Sequence, residues 1–144
     1  MYDTILIPTD GTSDAEMGAK HGTEMAAALG ATVHALYVIE EGSNPWLNTA
    51  IEDQLEEARS YGEEITGEVA DMCSADGAEC VTATKVGPYV HQEVNEYVED
   101  HDIDAIVMGS GYQGRLAGLL GSTAEKILRT SEVPVTIVRR GERK

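Results

Sequence analysis

Thr4-Ile5-Leu6-Ile7-Pro8-Thr9-Asp10-Gly11-Thr12-Ser13 is the stretch on which the fold turns. Its first five residues are a short apolar run of the kind a buried strand uses. Asp10 to Ser13 is turn and cap chemistry, and Glu16 stands three residues after Ser13, as in a capping box. The spacing predicts a helix from there to about Leu29, with Gly18, Gly22, Met25, Ala26 and Leu29 as its inner face. Those residues are small enough for the helix to lie close to a sheet, and Gly30 suits the position just past its end.

The same strand–turn–helix unit recurs along the chain. Thr32 to Ile39 is a β-rich second strand. Glu40 to about Asn48 holds turn residues and Trp46, the only tryptophan. Roughly Thr49 to Ser74 reads as a long helix. Ile51, Leu55, Ala58, Gly62, Ile65, Val69 and Met72 form one narrow apolar stripe on it, which favours docking on a sheet over a coiled coil at this length. Cys80 to Val86 is a third strand closed by Gly87-Pro88, and a helix follows with Val90, Val94, Tyr97 and Val98 on one side. Ala105 to Met108 is the fourth strand, and Gly109 to about Leu120 is a glycine-rich loop. Ser122 to Thr130 is a short helix with Ala124, Ile127 and Leu128 inward, and Val135 to Val138 is the fifth strand.

Five apolar strands separated by helices predict an α/β fold, a doubly wound parallel sheet with helices on both faces. In such sheets ligands bind beyond the carboxyl ends of the strands, where the strand order reverses. The Thr9-Asp10-Gly11 turn and the loop from Gly109 both lie at such ends. If strands one and four are neighbours, the two loops face each other across one crevice.

Composition bounds the function. At 144 residues and 15.4 kDa the chain fits one domain, 1–144, with a basic tail from about 139. A hydrophobic content of 42% excludes a disordered protein. No apolar run approaches the ~18–20 residues that span a bilayer, and the start lacks a basic leader, so a cytoplasmic protein is expected. Ten Lys+Arg stand against 26 Asp+Glu. Four of the ten positives lie in 139–144 beside one acid, Glu142, so residues 1–138 carry six positives, 25 negatives and a net −19. That surface repels nucleic acid and anionic membranes, and neither is expected as a partner. Lysine is scarce (Lys20, Lys85, Lys126, Lys144), as on a halophile's surface; an ordinary acidic protein is the alternative.

Catalytic and metal chemistry is not legible. Cys73 and Cys80 have no C-x-x-C spacing and no histidine at ligand distance, and are expected as free thiols. His21, His34, His91 and His101 are scattered among acids and read as surface or packing residues. With no Ser-His-Asp, Cys-His or paired-carboxylate set, the chain is expected not to be an enzyme, at most a slow ATPase.

The glycine loop is more informative. Glycines let backbone amides approach a phosphate, and a loop of them running into a helix N-terminus adds the helix dipole. Gly121-Ser122-Thr123 supplies free amides and two hydroxyls. No Walker lysine is present. Gly109-Ser110-Gly111-Tyr112-Gln113-Gly114 spells G-x-G-x-x-G, but Leu116 to Leu120 separates it from its helix and the next strand ends in Arg139-Arg140, against a dinucleotide site. A phosphoacceptor receiver would need an acidic pair and a late lysine that are missing. A flavin site would draw on aromatics, and the chain has seven and no Phe.

These residues resemble the universal stress protein family over nearly the whole chain. The likeness rests on Ile5-Leu6-Ile7-Pro8-Thr9-Asp10-Gly11, Leu36-Tyr37-Val38-Ile39 and Val86-Gly87-Pro88. It is strongest in Ile106-Val107-Met108-Gly109-Ser110, Leu119 to Leu128, and Val133-Pro134-Val135. The resemblance implies strand order 3-2-1-4-5, a homodimer and, in one branch, bound ATP or AMP, with or without Mg2+. In that order the fifth strand lies on an edge, and Val135 to Val138, short, uncharged and β-prone, is expected to close the dimer. The nucleotide-binding branch carries G-x2-G-x9-G-[ST] after strand four. Gly109 and Gly121-Ser122 match its ends, but Tyr112 replaces the second glycine and the stretch is one residue short. Reading from Gly111 restores G-x2-G with Gly114 but leaves only six residues before Gly121, so the phosphate cradle is reshaped. The implied nucleotide site is Pro8, Thr9, Asp10, Val38, Met108, Gly109, Gly111, Gly114, Gly121, Ser122 and Thr123. Asp10 would accept from the ribose hydroxyls, Val38 would meet the adenine edge through its backbone, and Thr9 and Met108 would line the pocket. A helix-capping role for Asp10 is compatible with this. The alternative is a dimeric interaction module of the same family that binds no nucleotide.

Overall fold

The computed structural model describes the backbone of residues 1–41, 48–111 and 120–139, and the side chains of all of these except 48–53. Trp46, Tyr112, Gly114, Arg115, Arg140, Arg143 and Lys144 lie outside the described residues.

The elements follow the expected order: β1 (Thr4–Pro8), α1 (Ser13–Leu29), β2 (Thr32–Glu40), α2 (Asn48–Asp76), β3 (Glu79–Gly87), α3 (Val90–Asp100), β4 (Ala105–Gly109), α4 (Ser122–Thr130) and β5 (Val135–Val138). They form one parallel sheet in the order β3-β2-β1-β4-β5. β1 pairs with β2 from Thr4↔Thr32 to Pro8↔Leu36, and with β4 at Ile5↔Ala105 and Leu6↔Ile106. The chain therefore leaves β1 toward one edge and returns to its other side, which puts the switch point between β1 and β4.

Strand alternation divides the core. Leu6, Leu36, Val38, Ile106 and Met108 face α3 and α4, where they meet Val94, Tyr97, Val98 and Ile127. Ile5, Ile7, Val33, Ala35 and Val107 face α1 and α2, where they meet Ala19, Ala26, Val69 and Cys73. Residues two apart on a strand point to opposite sides from their neighbours, so each central strand is apolar throughout and feeds both layers.

α1 lies close to the sheet because its inner face is small. A Cβ on Gly18 would overlap the Gly109 amide and the Met108 carbonyl carbon, and one on Gly22 would press on Ile7 Cδ1. Three details of the sequence reading change. The N-cap is Thr12, whose Oγ1 accepts from Ala15 N at 3.2 Å, so the Ser13–Glu16 capping box does not form; Glu16 N instead donates to the Thr12 carbonyl at 2.9 Å. Leu29 is 51% exposed, because α1 parts from the sheet after Ala26. There Gly30, at φ 70°, reverses the chain and lets Ala31 N donate to Ala26 O. Leu128 is 45% exposed, since Ala124 and Ile127 already fill the inward side of α4.

On α2, Gly62, Ile65 and Val69 are buried, and Leu55, Ala58 and Met72 half-buried, as the stripe predicts. Thr66 and Cys73 are buried as well, while the Ile51 side chain lies outside the described residues. Cys73 and Cys80 are free thiols. Burial pushes the Cys73 thiol up to about 12, the nearby Cys80 adding to it. No helix among the described residues is long and apolar enough to cross a membrane.

Candidate functional site

The turn after β1 is held by its own side chains. Thr9 N donates to the Leu36 carbonyl at 2.9 Å, keeping the chain against β2 for one residue beyond the strand. Gly11 takes φ 81°, a conformation that favours glycine. Asp10 Oδ1 accepts from Thr12 N at 3.0 Å and from Thr12 Oγ1 at 2.7 Å. Behind the turn, the Tyr61 hydroxyl of α2 donates to the Asp10 carbonyl at 3.2 Å. Tyr61 meets Tyr37 edge to face at 5.7 Å. Burial raises the Tyr37 phenol, and Tyr61 and Asp10 raise it further. Asp10 is exposed, and its Oδ2 has no partner among the described residues.

The loop after β4 is built around a second acid. Asp14, in the first turn of α1, is 2% exposed. Its Oδ2 accepts from Gly111 N at 2.6 Å, and Ser110 Oγ lies 3.2 and 3.3 Å from its two carboxylate oxygens. A Cβ on Gly109 would overlap the Asp14 carbonyl, so glycine is required there by the approach of α1. Gly121 N donates to the Ser110 carbonyl at 2.8 Å, and a Cβ on Gly121 would overlap the Gly111 carbonyl.

Gly121 is the N-cap of α4, with no side-chain cap bond. Glu125 N is the first amide to close on it, at 3.0 Å. The amides of Ser122, Thr123 and Ala124 thus open the helix with no intrahelical acceptor.

Between these pieces lies a cavity of about 190 Å3. Nine of the eleven site residues expected on sequence line it: Pro8, Thr9, Asp10, Val38, Met108, Gly109, Gly111, Ser122 and Thr123. Gly121 adjoins it through Ser122 and Gly111. Gly114 lies outside the described residues. The lining also includes Thr12, Asp14, Ala15, Leu36, Val90, Ala124 and Ile127, which the sequence does not single out as site residues. Leu36, Val38, Val90, Met108 and Ile127 make an apolar wall, and Asp10, Thr12, Ser122 and Thr123 a polar one.

The arrangement suits a small molecule with three parts. A flat apolar group fits the first wall, hydroxyl donors fit the open oxygen of Asp10, and an anion fits the amides at the start of α4. Among the described lining residues there is no lysine, arginine or histidine, and the only carboxylates are those of Asp10 and Asp14. Among the described residues no three His, Cys, Asp or Glu side chains cluster as a metal site.

Residues 1–139 match the model of the universal stress protein family. The chain is 31% identical over 145 residues to a universal stress protein of Methanocaldococcus jannaschii, covering 97% of this chain and 84% of that one. The universal stress protein UspA from Lactobacillus plantarum superposes with a TM-score of 0.84 at 22% identity, over 96% of this chain and 98% of that one. A universal stress protein in complex with cAMP gives 0.73 at 22% identity, over 95% and 97%. The universal stress protein from Archaeoglobus fulgidus in complex with dAMP gives 0.69 at 19% identity, over 97% and 98%.

Proposed function

The chain belongs to the universal stress protein family, and we propose that it binds an adenine nucleotide, ATP or AMP, as a sensor or regulator in the stress response. One observation carries the reading: residues implied by resemblance at two distant loops line a single cavity with an apolar wall, an open carboxylate oxygen and an uncapped helix start. Relatives of the same fold solved with cAMP and dAMP support it. In this reading Asp10 Oδ2 accepts from the ribose hydroxyls and the Val38 backbone meets the adenine edge. The amides and hydroxyls of Ser122 and Thr123 hold a phosphate. Mg2+ would accompany ATP on its phosphates. The described lining holds no lysine, arginine or histidine to neutralise a transferring phosphoryl group, and hydrolysis is at most slow.

The test is calorimetry and thermal melting with AMP and with ATP, each with and without magnesium. A ligand at about 100 times its Kd stabilises by about 2.7 kcal/mol, which a melting curve reads directly. Absence of both heat and melting shift at millimolar nucleotide overturns the proposal.

The second reading, an interaction module without nucleotide, draws on the outer side of β5. That strand ends the sheet, and Leu128 stands exposed on the neighbouring α4. Two copies could pair there antiparallel about a two-fold axis, giving a homodimer that either reading accommodates. Light scattering should find about twice 15.4 kDa, and Ile137→Lys should shift the protein toward monomer by setting like charges near the axis. A wild-type monomer removes the dimer, and a dimer unchanged in Ile137→Lys moves its interface elsewhere. The net −19 of residues 1–138 goes with a halophile's cytoplasm. On that reading the melting temperature rises with molar KCl, where the screening length falls to about 3 Å.

A further inference from the structure

We propose that Asp14 sets the phosphate preference of the crevice, making it a site for a nucleoside monophosphate and disfavouring di- and triphosphate chains. The proposal rests on the reading of the crevice as an adenine-nucleotide site.

The argument starts from which amides remain available. A glycine loop binds a phosphate chain by directing several backbone N–H groups at it. Here the Gly111 amide is bonded to Asp14 Oδ2 and the Gly121 amide to the Ser110 carbonyl. Both are spent inside the protein. What remains of the described part of this loop and of the helix it enters is the start of α4, with the amides of Ser122, Thr123 and Ala124. One helix start offers a single cluster of donors, the size of one phosphate.

Charge acts in the same direction. Asp14 lines the cavity, yet is 2% exposed, so solvent and salt screen it poorly. No cation among the described lining residues offsets it. A second or third phosphate extending from the α4 start toward Gly111 moves toward this carboxylate and finds the Gly111 amide occupied. A neutral nucleoside meets no such penalty, and a monophosphate at the α4 start meets the least of any phosphorylated ligand. Mg2+ on a triphosphate would lower the chain's charge and so reduce the penalty.

The test is calorimetric titration of the full chain with adenosine, AMP, ADP and ATP in EDTA and molar KCl. The salt suppresses the diffuse field of the acidic surface and leaves the local one. The wild type should bind AMP more tightly than ATP by about tenfold, with ADP between, and magnesium should narrow the gap. Asp14→Asn keeps an acceptor for the Gly111 amide and removes the charge. It should close the ATP–AMP gap by about tenfold while leaving adenosine affinity unchanged. Glu24→Gln removes the same charge from an exposed site farther along α1 and should leave the gap as it is. Wild-type protein that binds ATP as tightly as AMP in EDTA overturns the proposal, and so does an unchanged gap in Asp14→Asn. Should that variant fail to fold, the wild-type series decides alone. Failure of adenosine and AMP to bind at all is a different result, which removes the nucleotide reading itself.

Discussion

At both ends of the sheet an aspartate accepts backbone amides, but the two ends are finished differently. At the amino end, Asp104 Oδ2 accepts from Asp3 N at 2.8 Å and Thr4 N at 3.0 Å, tying the start of β1 to the start of β4. The neighbouring space is filled by rings. His34 Nδ1 lies 2.6 Å from the Tyr97 hydroxyl, and Tyr97 stacks on His101 with centroids 3.8 Å apart. At the carboxyl end, Asp10 and Asp14 do comparable work and a cavity of about 190 Å3 remains. The cause is direction. In a parallel sheet every strand's carboxyl end feeds a helix start, so amides without acceptors gather there. The amino end receives helix finishes, closed here by Gly30 and by the His101 amide on the Tyr97 carbonyl. Side-chain type alone does not make the site; the polarity of the helices around it does.

The comparison is broken most severely at Gly18. Val at this position would drive α1 off β4, because the clashing atoms are backbone and cannot rotate away. Over-packing of this kind costs about 3 kcal/mol. The melting temperature of Gly18→Val should fall by about 10 °C; a fall of only a degree or two would contradict the α1–β4 contact.

Two substitutions sharpen the contrast by exchanging their effects. Asp10→Ala should weaken nucleotide binding by about 1.5–3 kcal/mol, tenfold or more, through loss of a charge-assisted bond. It should cost less than about 1 kcal/mol of stability, since Asp10 is exposed and only caps the turn. Asp104→Ala should do the reverse, losing about 1 kcal/mol of stability with nucleotide affinity unchanged. Calorimetry and denaturant melts on both proteins give all four numbers. Equal effects of the two substitutions on affinity would erase the distinction between the ends.

The smallest effect belongs to His34. Burial, then the neighbouring His101, lowers its pKa from the ordinary 6.5. The folded protein therefore binds fewer protons here than the unfolded one. This contribution to stability is fully present above 6.5 and is lost as pH falls below that value through the lowered folded one. His34→Gln should flatten the difference in melting temperature across that window relative to wild type. An identical slope in both proteins would remove His34 from the account.

The order of elements was legible because each strand is a short apolar run set between glycine, aspartate or proline. Errors fell where periodicity carries no information. Leu29 and Leu128 continue the apolar side of their helices, but the pattern does not tell where a helix leaves the sheet or which residue closes its inward face. Thr12 and Ser13 are adjacent hydroxyls, and only the extended backbone at Thr12 (φ −74°, ψ 162°) decides which one caps. The site was legible to the extent that topology brings the first and fourth strand ends together. Asp14 was missed because an acid in a first helical turn reads as a partner of the helix dipole. A signal was present: Asp14 stands four residues before Gly18 and eight before Gly22, on the stripe that faces the sheet. The loop glycines also carry a second meaning, since Gly109 and Gly121 are demanded by contacts within the protein whatever the crevice holds.

The bond from Asp3 to Asp104 spans 101 residues. On a ribosome adding about 5–20 residues per second, the start of β1 waits about 5–20 s for the partner that secures it. During that interval β1 has only β2 beside it, and its other edge is open. α4, which supplies the uncapped amides of the crevice, emerges later still. From the end of β2 at Glu40 to the start of β4 at Ala105, a newborn chain therefore carries a bare strand edge in the middle of its future core. In that period a chaperone has a strand to hold, and a nucleotide has nothing to bind.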